Sequence, residues 1–328
     1  MSVLLFSLNA VLLMFFPIAL GWFIRFRRHI GEKDIGFLNR LCFRYLLAFH
    51  LFNSTVSIDF RAEFNPRLLG ACSLCIFFVM ILFWIIFSLT VPNREKRCIL
   101  IVSSFRSNNI IYALPMAVNL FGDAGTKVAA MLMPLTIILF NFFCVIVMVY
   151  HAPRETAAGE SPREAGGKGG VAALKRTVID ILKNPLIIGS VLGIVFSLLK
   201  IPLPRFVRNG ISMIAVSATP LSLVLLGAQI DFKALAGNLG PAFGACALRL
   251  ILVPAILVPI LALVGFRGPE LGALMVVFSA PCAVNNLIMA RNYRINPAFA
   301  AQTVYLSTAF SLFTMFGLIS LLRWAGLF

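Results

Sequence analysis

Along the 328 residues, apolar runs of eighteen or more positions recur from end to end, separated by short clusters of charged, Gly and Pro residues. Runs of that length with few charges match the thickness of a bilayer, whereas a buried core helix is usually shorter. Ten runs are read, at about 3–24, 36–54, 67–91, 97–121, 127–150, 183–200, 207–229, 240–264, 269–292 and 298–324. One such run would suit a cleaved leader; ten do not. The first, 2–24, has no basic residue before it and Arg25, Arg27 and Arg28 directly after it. A secretory signal carries its charge in front, so this run is read as a retained helix. The pattern predicts an all-α membrane protein with ten transmembrane helices.

Most connections between the runs are short. The exception is 151–182, where Gly159, Gly166, Gly167, Gly169 and Gly170 alternate with Lys, Arg and Glu. That is the composition of a flexible linker, and it divides the chain into units 1–150 and 183–328. Three matches relate the two units. Ile58-Asp59-Phe60-Arg61-Ala62 returns as Ile230-Asp231-Phe232-Lys233-Ala234, Gly70-Ala71-Cys72 as Gly244-Ala245-Cys246, and Pro115-Met116-Ala117-Val118-Asn119 as Pro281-Cys282-Ala283-Val284-Asn285. Their offsets are 172, 174 and 166 residues. Each unit holds five runs, and an odd number makes the second enter the membrane the opposite way. The expectation is two inverted five-helix repeats, an arrangement that suits alternating access and that some channels share.

Composition agrees with the pattern: 60% of residues are hydrophobic and 12% charged, against about 25% charged in soluble domains, and mean hydropathy is +0.97. The net charge of +16 would suggest nucleic acid in a soluble protein. Here it sorts by topology. Sixteen Lys and Arg fall in odd-numbered connections and eight in even-numbered ones or the C-terminus. The positive-inside bias then puts the linker in the cytoplasm and both termini outside. The seven cysteines are scattered singly, without zinc spacing, and read as small buried apolar residues. No HExxH, GxSxG or Walker loop is present, so neither an enzyme nor an ATP-driven pump is expected.

Candidate chemistry gathers in the fourth and ninth runs, FRSNNIIYALPMAVNLFG and VFSAPCAVNNLIMARN. Each has a mid-run proline, Pro115 or Pro281, which removes a helical hydrogen bond and clashes with the preceding turn. Each flanks it with amides: Asn108, Asn109 and Asn119 in one, Asn285 and Asn286 in the other. Backbone groups freed inside a bilayer must find partners, and amides can supply them or bind a solute. Taken singly, a proline is a kink and an asparagine is helix–helix glue. As a matched pair in two halves, interrupted helices point to a transport site. Arg106 lies one to two turns before Pro115 and either faces a cavity, where it would hold an anion, or snorkels to the cytoplasmic surface. Arg249 has the same two readings, tilted toward structure; Glu270 is read as solvated and His50 as structural. Thr303, Ser307, Ser311 and Thr314 form a stripe on the last run, read as close helix packing with a cavity wall as the alternative.

Several stretches together resemble the auxin efflux carrier family, which includes plant PIN proteins and many prokaryotic carriers. They are GWFIRFRRHIGEKDIGFLNRLCFRYLL, SFRSNNIIYALPMAVNLFG, NPLIIGSVLGIVFSLLKIPLPRFV, SATPLSLVLLGAQI and SAPCAVNNLIMARNYRINPAFAAQTVYLSTAFSLFT. The resemblance implies a fold shared with bile-acid/sodium symporters, in which broken helices four and nine cross at mid-membrane and bracket the substrate. It implies a scaffold from helices one, two, six and seven and a mobile core from the rest. By position the crossing maps to 108–119 and 281–286. It also implies small carboxylates as substrates, such as malate, malonate or an auxin-like acid. The expected function is an elevator-type secondary transporter of a small organic anion in the cell membrane. A channel or receptor of the same fold and a sodium-coupled symporter are the alternatives. The expected site is Arg106, Asn108, Asn109, Pro115, Asn119, Pro281, Asn285 and Asn286, with no metal or cofactor. Expected partners are the anion and lipid, not nucleic acid, with a homodimer left open.

Overall fold

The computed structural model describes residues 3–57, 64–151, 178–179, 182–230 and 239–328. Among these, regular structure is helical except for one isolated antiparallel bridge between Ser107 and Cys282. The helices are α1 (Val3–Phe26), α2 (Glu32–Val56), α3 (Pro66–Thr90), α4 (Arg94–Phe105), α5 (Asn109–His151), α6 (Pro185–Leu198), α7 (Arg205–Ala228), α8 (Gly240–Val264), α9 (Gly268–Ser279), α10 (Asn285–Asn292) and α11 (Pro297–Trp324). Seven of them, α1, α2, α3, α5, α7, α8 and α11, are long and apolar enough to cross a bilayer, while α6 and α9 are shorter apolar helices. Side chains such as Leu89, Phe206, Met213 and Leu263 stand exposed, whereas Arg106, Asn108, Asn109 and Arg249 are buried. A soluble protein sorts its residues the other way.

Helix starts follow local chemistry. Asn65, Asn93, Asn184 and Asn296 each accept a backbone N–H at the head of α3, α4, α6 and α11, and Pro66, Pro185 and Pro297 follow three of them. An amide cap with proline in the first turn is a favoured start. The fourth predicted run divides into α4 and the first arm of α5. The fifth is the second arm of α5, beyond a kink at Gly122 (φ 56°, ψ −132°), a conformation that side chains disfavour. The ninth divides into α9 and α10.

Helix lengths and starts bear on the sequence matches. α3 and α8 are both 25 residues long, α4 and α9 both 12, and each pair starts 174 residues apart. Gly70 and Gly244 keep that register. Pro115 and Pro281, 166 residues apart, do not; the residue 174 before Pro281 is Ser107. Residues 58–62 and 231–234, which carry another of the matches, lie outside the described residues, as does most of the predicted linker.

Packing falls into two groups. α1 lies along α7, and the second half of α2 packs on α6 and α7. α3, α4, α5, α8, α9, α10 and α11 form the other group, with α5 on α9 and α8 on both α9 and α11. The first group is drawn together by glycine. A β-carbon at Gly21 would collide with Val224 O, and one at Gly227 with Ile18 O, so the α1 and α7 backbones touch. Small residues permit such approaches where lipid offers no hydrophobic drive. The groups meet where α1 packs on α11, and where Leu47 and Leu51 of α2 and Ala218 and Leu225 of α7 share an apolar cluster with Leu114, Ala117, Ala129 and Met133 of α5.

Candidate substrate site between two interrupted helices

The interruption after α9 follows from proline. Ala280 adopts φ −61°, ψ 149°, the extended conformation forced on a residue before proline. The interruption after α4 has no proline. Arg106 is extended at φ −91°, ψ 103°, and Asn108 takes φ −80°, ψ 67°. The two extended segments pair with each other. Asn108 N–H donates to Pro281 O at 2.8 Å and Ala283 N–H to Arg106 O at 3.4 Å. Ser307 Oγ accepts Cys282 N–H at 3.0 Å. Each break thus supplies partners that the other lacks, as apolar surroundings require.

Pro115 acts elsewhere. It follows a π turn at Asn109–Ala113 that opens α5, so the missing donor falls where the helix is already widened. α8 repeats this: a π turn at Leu248–Leu252 precedes Pro254.

A cavity of about 60 Å³ opens beside the paired breaks. It has room for several waters. Its wall contains Arg106, Asn108, Asn109, Ile110 and Ile111 from one break and Ala283, Val284 and Asn285 from the other, with Phe43, Asn141 and Asn184 opposite. The N-terminal ends of α5 and α10 therefore face one space. Helix N-termini carry partial positive charge and free N–H groups. Among the described residues, no carboxylate is in the wall. Arg106 is buried and does not snorkel; Nη2 donates to Asn141 Oδ1 at 2.8 Å and Nη1 to Cys144 Sγ at 2.9 Å. The Nδ2 groups of buried Asn108 and Asn109 have no hydrogen-bond partner among the described residues.

A sequence model of the family described as membrane transport protein matches residues 6–319. The chain belongs to that family, the auxin efflux carriers. A protein of Methanocaldococcus jannaschii named as an uncharacterized transporter is 24% identical over 315 residues, covering 93% of this chain and 95% of the relative. One of Methanothermobacter thermautotrophicus, also named as an uncharacterized transporter, is 21% identical over 318 residues, with 94% and 96% covered. This auxin efflux carrier family member is a multi-pass membrane transport protein, not an enzyme.

Within it, the predicted residues separate. Arg106, Asn108, Asn109 and Asn285 share the cavity wall, while Pro281 lies behind it as the acceptor for Asn108. Pro115 and Asn119 lie on α5 beyond the break and outside the wall. Asn286 is buried outside it, neither amide atom partnered among the described residues. Sequence reasoning missed Phe43, Asn141 and Asn184. Asn141 had a signal, an amide within the apolar stretch LFNFFCV; Asn184, before a proline at the head of a run, had none. The stripe on α11 is mainly packing: Thr303, Ser307 and Ser311 bond back to their own helix, and Ser307 also holds Cys282. His50 Nδ1 lies 3.0 Å from Ala215 O, and Glu270 accepts from Asn65 Nδ2 at 2.7 Å.

Proposed function

We propose that this protein is a secondary transporter for a small organic anion, a carboxylate such as malate, malonate or an auxin-like acid. The observation that carries the reading is the cavity wall: two helix N-termini, Arg106, amide groups with open donors and, among the described residues, no acidic side chain. An anion there would gain from both dipoles and from charge-assisted hydrogen bonds. A cation would find no counter-charge among the described residues of the wall.

The path is alternating access of the elevator type. The constant 174-residue spacing of α3–α4 and α8–α9 supports two repeats, and five crossings in each make the second inverted. On this reading the chain crosses ten times, with α4 plus the first arm of α5, and α9 plus α10, each forming one interrupted crossing. The α1, α2, α6 and α7 group is the scaffold; the other group moves and carries both breaks.

The test is counterflow in proteoliposomes across a panel of mono- and dicarboxylates. Saturable uptake driven by unlabelled carboxylate inside is expected. A folded, correctly reconstituted protein that moves none of the panel would sink the anion reading. A unitary conductance without counterflow would make the protein a channel.

A further inference from the structure

Arg249 heads the largest side chains that are fully buried, and it stands outside the cavity wall. It sits on the π turn of α8. Its guanidinium donates three hydrogen bonds, all to backbone carbonyls: Nη1 to Ser104 O at 2.8 Å, Nη2 to Val277 O at 2.7 Å and Nε to Ala280 O at 2.9 Å. Ser104 lies in the last turn of α4, Val277 in the last turn of α9, and Ala280 caps α9. One cation therefore joins the C-terminal ends of both interrupted helices.

Helix C-termini present carbonyls without partners and partial negative charge. Two such ends brought together repel. In transporters with interrupted helices, these ends and the unwound carbonyls beside them coordinate coupling cations. Here a covalently attached cation takes the carbonyls. Its compensation is the carbonyls themselves, because the ion pair found among the described residues joins Arg25 to Glu32, far along the chain from Arg249.

We infer that Arg249 is a fixed counter-cation: it ties the C-terminal ends of α4 and α9 together and fills the place of a bound alkali cation, so transport needs no sodium or potassium there. α4, α8 and α9 pack in one group, so the guanidinium keeps its three bonds while that group moves. The consequence for transport, this last step and the flux measurement below rest on the transport reading.

The decisive measurement needs no substrate. Purified wild-type protein in detergent is melted in sodium, potassium or choline chloride at equal ionic strength. Equal midpoints are expected, because an ion that binds the folded state raises its midpoint. Arg249→Ala should melt several degrees lower, and low-millimolar guanidinium chloride should restore part of the loss. Urea at equal concentration, a neutral planar donor, should not. If Arg249→Ala does not fold, Arg249→Lys and Arg249→Met decide: Lys should melt above Met, and equal midpoints overturn the proposal. So does a sodium-specific rise in the wild type, or urea matching guanidinium. Uptake of labelled malonate into proteoliposomes in sodium or choline buffer gives the second readout. Sodium-dependent uptake overturns the fixed-cation proposal and leaves the transport reading standing. No uptake in either buffer counts against malonate as substrate, and the melting results then decide the role of Arg249.

Discussion

At the residue scale, the side chains that matter are polar groups without acidic partners among the described residues. Arg106 holds its position through Asn141 and Cys144. A single guanidinium makes both contacts, and lysine's compact ammonium lacks that fork. Arg106→Lys is therefore expected to weaken substrate binding and Arg106→Gln to weaken it further. Losing a charge-assisted hydrogen bond costs about 1.5–3 kcal/mol, roughly 10- to 150-fold in affinity. Competition of unlabelled substrate against labelled uptake in the three proteins checks the order; three equal affinities would remove Arg106 from the site. Asn109→Asp is a sharper test because it is nearly isosteric and adds a negative charge. An anion site should lose at least the same factor, whereas a site for a neutral or cationic solute should not. The sequence already marked Arg106, Asn108, Asn109 and Asn285, since polar residues inside apolar runs are costly and stand out. It did not show that Asn286, next to Asn285, turns away from the cavity. Adjacent residues on a helix point about 100° apart, and which one meets the cavity depends on where the helix starts.

At the element scale, apolar runs located nearly every helix, because run length is set by bilayer thickness. They misplaced the first break by several residues. Proline was the visible signal, and it marks the break only after α9, where Ala280 is forced to extend. In the first half the chain extends at Arg106–Asn108, where no proline stands, and Pro115 falls after the π turn. The register of 174 residues exposes the difference, since helix boundaries keep a spacing that short sequence matches lose. Helix contacts give their own prediction. Gly227→Leu should collide with Ile18 O on α1 and force the α1–α7 pair apart. Overpacking of this kind costs about 1–3 kcal/mol. Gly70→Leu is the control, because nothing lies within 4 Å of a β-carbon there. Thermal melting followed by size-exclusion chromatography should show a lower midpoint for Gly227→Leu and little change for Gly70→Leu. Similar midpoints would mean that the tight α1–α7 contact adds nothing to stability.

At the scale of the whole molecule, orientation follows from charge, since packing looks the same from either side. Sixteen basic residues in odd connections against eight elsewhere set the expected topology: linker inside, both termini outside. The first connection, with Arg25, Arg27, Arg28 and Lys33, would then be cytoplasmic, and the connection between α6 and α7, with Lys200 and Arg205, external. Each basic residue near an anionic cytoplasmic leaflet is worth about 1 kcal/mol, so an excess of eight outweighs any single misplaced charge. His29 and Ile201 are exposed and lie in these two connections. In a background lacking the seven native cysteines, His29→Cys and Ile201→Cys report the two sides independently, and neither substitution removes a Lys or Arg. An impermeant maleimide applied to intact cells should label the cysteine at 201 and spare the one at 29, which should label only after permeabilisation. The reverse pattern would invert the molecule and exchange the compartments that the cavity serves. Labelling of both from outside would mean a mixed population or a missing crossing between them. A missing crossing would contradict the ten-crossing path, because positions 29 and 201 are separated by an odd number of crossings on that path, whereas the reverse pattern would keep the path and invert it.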